Sequence, residues 1–271
     1  RDLSNAVLAG ADLRGANLEG ANLTGAVLSG AKLSGARARK AVFHGADLTG
    51  ADLKGVDLSE ADLREADFTE TNLADAGLRL SRAGRAIFAR ADLSRAGFED
   101  ADLTRADLSG TRLHRARFVR SRLADASLHR AWGTGVRFEK CDLARIRASQ
   151  ARLPGVVCAG SKGADSVWEE AELHGADFSQ CVLNGAEFSF AFLADARFVA
   201  ANLREARFVE AVLQRADFTR ANLYQSRLTR ADFRHAKLCE ANLYEAECWE
   251  IRIESADLTD ANLRQTKLQE I

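Results

Sequence analysis

Residues 11–25 read Ala11-Asp12-Leu13-Arg14-Gly15, Ala16-Asn17-Leu18-Glu19-Gly20, Ala21-Asn22-Leu23-Thr24-Gly25, three copies of one five-residue unit laid end to end. The same phase continues in both directions. Of the fifty-four positions five apart from Leu3 to Leu268, thirty-three are Leu and twelve are Phe. The exceptions are Ala38, Ala83, Gly133, Ala148, Cys158, Gly163, Trp168, Cys248 and Ile253. Two residues before each centre the chain wants a small side chain, and Ala fills thirty-eight of the fifty-five positions from Arg1 to Ile271. The frame is kept even between Trp132 and Val167, where the pattern is weakest, so no inserted loop is expected.

A period of five suits neither regular element. On an α-helix each step would turn the apolar stripe by about 140° and scatter it round the axis. Ala and the following Leu or Phe are two apart, so a short extended segment puts both on one side and the intervening Asp or Asn on the other. The remaining two residues must turn, and glycine at Gly10, Gly15, Gly20 and Gly25 fits the positive φ that a type II turn needs at its second central residue. Each pentapeptide is read as an edge plus a corner.

This tandem A(D/N)LXX, carried over essentially all 271 residues, resembles the pentapeptide-repeat family. The resemblance implies an all-β fold, a right-handed quadrilateral β-helix with four pentapeptides per coil and about 13.5 coils without internal loops. Residues twenty apart then stack, with the small residue and the Leu or Phe inside. We expect one uninterrupted solenoid over residues 1–271, a segment of a longer protein because the sequence contains no methionine. Gly133, Ala148 and Gly163 are expected to be weak rungs, partly refilled by Trp168.

Composition excludes more than it names. Thirty-eight Lys plus Arg against thirty-nine Asp plus Glu give a net charge of −1, so no global field favours nucleic acid or an anionic membrane. No apolar run approaches the length of a membrane helix, and Arg1-Asp2-Leu3-Ser4 is not a signal peptide; a cytoplasmic location without membrane insertion is expected. The cysteines Cys141, Cys158, Cys181, Cys239 and Cys248 show no C-x-x-C spacing, and the histidines fall on several faces, so neither metal nor cofactor is expected. No Walker loop or dinucleotide fingerprint is present, and a filled rod offers no concave place for catalysis. The chain is read as a non-enzyme.

Function must then lie on outward residues. Trp132, Phe190, Phe192, Val199, Val209, Val212 and Trp249 occupy slots that the family turns outward, and exposed aromatics anchor interfaces. Trp132 and Phe192 would share one column. An acidic band of net −7 runs from Ala46 to Ala76, and a basic band of net +8 runs from Arg112 to Arg152. Arg112, Arg115, Arg117, Arg120, Arg137 and Lys140 of the basic band are candidates for docking an acidic partner, weighed against ion pairing with adjacent coils. Arg204, Tyr224, Tyr244 and Arg264 would form a stacking ladder.

Family resemblance also implies two functions. One is a rigid scaffold or adaptor for protein partners, as in bacterial secretion-associated proteins, with end-to-end or edge self-association open to it. The alternative is DNA mimicry toward DNA gyrase and topoisomerase IV. Against mimicry, no face carries charge of one sign, and the acidic band is short.

Overall fold

The computed structural model describes residues 1–266; Leu268 and Ile271, placed inward by the repeat, lie outside the described residues. The backbone repeats one hydrogen-bond scheme. In the block Ala21–Gly25 the second residue donates to the coil before it (Asn22 N–H to Arg1 O, 2.9 Å) and the third to the coil after it (Leu23 N–H to Val42 O, 2.7 Å). The fifth donates to the next coil (Gly25 N–H to His44 O, 2.9 Å), and the first residue of the following block closes the turn (Ala26 N–H to Leu23 O, 3.0 Å). Bridges are parallel and join residues twenty apart, as in Asp2↔Asn22 and Val182↔Asn202. Four pentapeptides therefore make one coil. A parallel strand returning to its own sheet by a crossover takes the right-handed path, which makes this a right-handed quadrilateral β-helix.

The fourth residue of each block is left out of that scheme, and the Asp or Asn at the second position supplies its acceptor. Thr24 N–H donates to Asn22 Oδ1 at 3.1 Å, Thr49 N–H to Asp47 Oδ1 at 2.9 Å, and Thr219 N–H to Asp217 Oδ1 at 3.0 Å. An exposed, hydrophilic-looking letter of the repeat thus completes the backbone account of the corner. Corner geometry is the same at every block from Asn5 to Gln265, with φ near +60°. Glycine marks some of these corners in the sequence, but Leu80 (φ 56°), Phe190 (φ 60°) and Ala200 (φ 54°) adopt the conformation too, because the ladder bonds on either side dictate it.

The chain divides into two compact units, Arg1–Arg137 and Phe138–Ile271. In the first, edges are single bridges except at the short strands β1 (Gly97–Glu99) and β2 (Arg117–Val119), which pair in parallel with Phe98 opposite Phe118. A third short strand, β3, covers Arg137–Glu139. The core of this unit is the Ala and Leu columns with an aromatic run, Phe68 stacked on Phe88 (4.9 Å) and Phe98 on Phe118 (4.6 Å). Gly133 is not a void: a Cβ there would meet Leu113 C and His114 N at 2.7 Å, so the backbone itself has moved into the space.

In the second unit phenylalanine occupies two opposite edges of the coil. Phe178, Phe198 and Phe218 stack on one edge at 5.2 and 4.7 Å, and Phe188 stacks on Phe208 at 5.0 Å on the other. The two stacks meet edge to face across the interior, as in Phe188–Phe198 at 5.6 Å. Trp168 is fully buried and donates its ring N–H to Ser166 Oγ at 3.0 Å. Gly163 is closed by Leu183, Ser166 and Leu143.

Candidate functional surface

With the interior filled, the outward positions decide what the molecule can do. In the first unit Trp132 is 36% exposed, and its ring is engaged: Arg112 lies over it at 4.8 Å and His114 meets it edge-on at 5.0 Å. In the second unit Phe190 is 43%, Phe192 52% and Trp249 47% exposed. Val212 is half-buried rather than exposed, because it sits in one column between Phe192 and Asp232. Phe192 bridges to Val212, and Phe190 N–H donates to Val209 O, so Phe190, Phe192, Val209 and Val212 are neighbours on adjacent coils. Trp132 and Phe192 fall in different units.

Ion pairs between coils consume most of the acidic band and part of the basic one. Arg112 pairs with Asp92 (3.5 Å), Arg120 with Asp100 (2.8 Å) and Glu99 (2.6 Å), and Arg122 with Asp102 (3.7 Å). Arg115 and Arg117 are exposed and form no ion pair among the described residues; Arg137 and Lys140 are also exposed. Of the acidic band, Glu60 pairs with Arg39, Glu65 with Arg85, Glu70 with Arg90 and Asp75 with Arg95. The Arg95 hydrogen bonds hold the Asp75 carboxyl below the usual carboxylate range. Burial alone would raise Asp62, but hydrogen bonds from Arg64 and the charge of Arg82 hold it low. Asp47, Asp52, Asp57 and Asp67 accept backbone N–H groups two residues on. A twenty-residue offset carries the acids at 65, 70 and 75 onto Arg85, Arg90 and Arg95; that signal was present in the sequence and counting by band missed it.

The ladder forms over three of its four residues. Arg204 lies over Tyr224 at 4.6 Å and Tyr224 stacks on Tyr244 at 5.9 Å with rings 5° from parallel, whereas Arg264 is exposed and makes no ring contact among the described residues. Beside it runs an open groove of about 900 Å³, between the columns Asp165–Gln265 and Val167–Glu247. Its arginines are paired, Arg207 with Glu187 (3.6 Å) and Arg227 with Glu247 (3.5 Å), and it is lined by no His, Cys or Ser. Four cysteines are buried as free thiols and Cys239 is half-buried; burial pushes Cys181 and Cys248 up to about 12. Among the described residues no three His, Cys, Asp or Glu side chains converge to hold a metal, and no helix is long and apolar enough to cross a membrane.

The family pattern described as pentapeptide repeats matches eight copies, over residues 2–37, 41–79, 72–110, 86–125, 101–132 and 231–271, and the pentapeptide repeat region pattern matches 171–248. The chain belongs to the pentapeptide-repeat family. No curated protein matches it. Among solved structures, it is similar to a pentapeptide repeat protein of the Arabidopsis thaliana thylakoid lumen, at 32% identity over 35% of this chain and 66% of that one, TM-score 0.35. The chain thus spans just under two thirds of that relative's length. It is also similar to HetL, involved in heterocyst differentiation regulation in Nostoc sp. strain PCC 7120, at 28% identity over 86% of each chain, TM-score 0.23. A third is QnrB1, a plasmid-mediated fluoroquinolone resistance protein, at 17% identity over 80% of this chain and 88% of that one, TM-score 0.32. At these TM-scores the likeness says nothing of activity.

Proposed function

We propose that this pentapeptide-repeat protein is a non-catalytic scaffold that presents a rigid, patterned surface to a protein partner in the bacterial cytoplasm. The observation that carries this reading is the placement of Phe190, Phe192 and Trp249 on the outside of coils whose interior is already filled. Water-facing rings of this size contribute nothing to the core and are the usual anchors of an interface. The carboxylates of the open groove beside the tyrosines include Glu187 and Glu247, each engaged by an arginine, which supports a binding role over chemistry.

DNA mimicry needs a ribbon of unneutralised carboxylates. Here Glu60, Asp62, Glu65, Glu70 and Asp75 are paired with arginines, which leaves the corner acids Asp47, Asp52, Asp57 and Asp67 as too few charges for such a ribbon. The reading is tested by two measurements on the purified chain. Phe192→Asp with Trp249→Ala is expected to abolish crosslinking to partner protein in cell extract while leaving the melting curve in place; retained crosslinking overturns the scaffold surface. Inhibition of gyrase supercoiling at low micromolar concentration would instead make topoisomerase the partner.

A further inference from the structure

Corner acids of the second unit are neutralised by a rule that the open groove breaks. Asp195 meets Arg215 (2.6 Å), Glu240 meets Arg220 (2.8 Å), and Arg230 serves both Glu250 (2.7 Å) and Glu210 (3.5 Å), each one coil away. In the corner column of the groove, Asp165, Glu205 and Glu245 form no ion pair among the described residues. The rungs between them, where an arginine would stand, carry Gly185 and Gln225. Gln225 offers Glu245 only a neutral amide (2.7 Å), and Asp165 Oδ1 lies 2.5 Å from the place of a Cβ on Gly185, so a larger residue there would displace the carboxylate. The facing column balances itself, Arg207 with Glu187 and Arg227 with Glu247. Five carboxylates and two arginines line the groove, and the uncompensated charge is all on the corner side.

Spacing decides which shape of cation fits. Successive uncompensated carboxylates are two coils apart, which at about 4.8 Å per coil is about 9.6 Å. A polyproline II chain has three residues per turn and rises about 3.1 Å per residue, so every third side chain returns to one side after about 9.3 Å. In a β-strand the third residue on faces away, and the seven-residue repeat of an α-helix, about 10.5 Å, falls about 2 Å out of step by the third carboxylate. We propose that the groove binds an extended basic peptide in the polyproline II conformation, with Lys or Arg at every third residue set on Asp165, Glu205 and Glu245. Polyproline II leaves its own carbonyls unbonded, and Arg207 and Arg227, each held by one carboxylate, keep N–H donors to spare for them. The half-buried rings of Tyr224 and Tyr244 run alongside, a wall of the kind on which such chains pack. These columns exclude Phe190 and Phe192, so the proposal goes beyond the scaffold reading and does not need it.

The test is fluorescence anisotropy of the purified chain with a labelled peptide in which lysine is followed by two prolines, four times over. At low salt the peptide is expected to bind with Kd below about 300 µM, and more weakly as salt rises. A peptide of the same length and charge with its lysines in one block should bind at least about tenfold more weakly, because its cations miss the two-coil spacing. Asp165→Asn, Glu205→Gln and Glu245→Gln combined should weaken binding at least about tenfold with an unchanged melting curve, since none of the three holds a cation in the folded chain. Should the triple variant melt early, Glu205→Gln alone, at an exposed side chain, takes its place with an expected loss of about threefold. Binding absent at about 300 µM, or undiminished in the carboxamide variants, overturns the proposal; equal binding of the blocked peptide overturns it too, as attraction to any polycation. Phe192→Asp should leave peptide binding unchanged. A chain that ignores the peptide while its crosslinking to other proteins depends on Phe192 sinks the groove alone and leaves the scaffold surface standing.

Discussion

Leu80 and Phe190 sit in the backbone conformation that Gly10 and Gly15 adopt, with φ of 56° and 60° against 67° and 65°. An L side chain there is strained by about 1 kcal/mol, and the hydrogen bonds of the coils above and below hold it in place. Arg105→Gly, at an exposed corner of the same kind (φ 61°), is therefore expected to raise the unfolding free energy, by up to about 1 kcal/mol less the entropy that glycine adds to the unfolded chain. Gly10→Ala should lower stability by a similar amount, about 1 kcal/mol, although a Cβ at Gly10 meets nothing within 4 Å. Equal denaturant midpoints for Arg105→Gly and the unmutated chain would show that the corner is unstrained. The second-position Asp and Asn are the other residue-scale lesson. Their outward direction follows from the two-residue spacing, but their acceptor role toward the fourth N–H does not, because it depends on that N–H having no backbone partner, which only the closed coil shows.

Within a coil, the aromatic columns are where packing exceeds what apolar area alone supplies. Phe198 touches Phe178, Phe188, Phe208 and Phe218, with centroids 4.7 to 5.6 Å away, whereas Phe43 lies buried in a column between Leu23 and Leu63. Both are fully buried, so the area lost on Phe→Leu is the same. Phe198→Leu is expected to cost at least about 1 kcal/mol more than Phe43→Leu in urea denaturation, since ring pairs add about 0.5 to 1.5 kcal/mol beyond burial. The inward direction of both was legible in the sequence, and so was their twenty-residue stacking once four edges per coil were accepted. Less legible was the backbone at Gly133. A missing side chain reads as a weak rung, yet here Leu113 and His114 close onto it, and a sequence carries no record of how far backbone can relax into a gap.

Across the molecule, titration should bound stability from both sides. Asp12 is drawn down to about 2 by the hydrogen bond from Arg14, and Asp257 to about 2 by that from Thr259, while Asp75, Asp195 and Asp232 are lowered by their arginines. A carboxyl with a depressed folded value contributes stability that is present above its unfolded value near 4 and lost as pH falls toward the folded one. For Cys181 and Cys248, raised by burial to about 12, the contribution is present below the unfolded thiol value, about 8.5, and lost as pH rises toward 12. The melting temperature is thus expected to be flat from about pH 5 to 8 and to fall below about pH 4 and above about pH 9, with Asp232→Asn showing a shallower acid limb. A maleimide at neutral pH should label Cys239 in the native chain and all five cysteines in denaturant; native labelling of Cys158 would mean that its coil opens. Composition made the paired charge count legible from the start. The twenty-residue offset makes the pairs at 65/85, 70/90 and 75/95 legible too, but not Arg39 with Glu60 or Arg120 with Glu99, which reach across to the adjacent column.

The uniform hydrogen-bond scheme sets rules for how such a chain can lengthen or shorten over generations. Blocks within a unit repeat the same bonds, so losing twenty residues there keeps each face's neighbours on that face, and the surface is edited by excision alone. Losing five keeps the bonds formable too, but carries everything downstream round by a quarter turn. Phe192 would then look out from the side that now belongs to another column, with the fold intact and the old surface erased. Natural variation in these arrays should therefore come in steps of one coil wherever a face has work to do, and in steps of one block where none has.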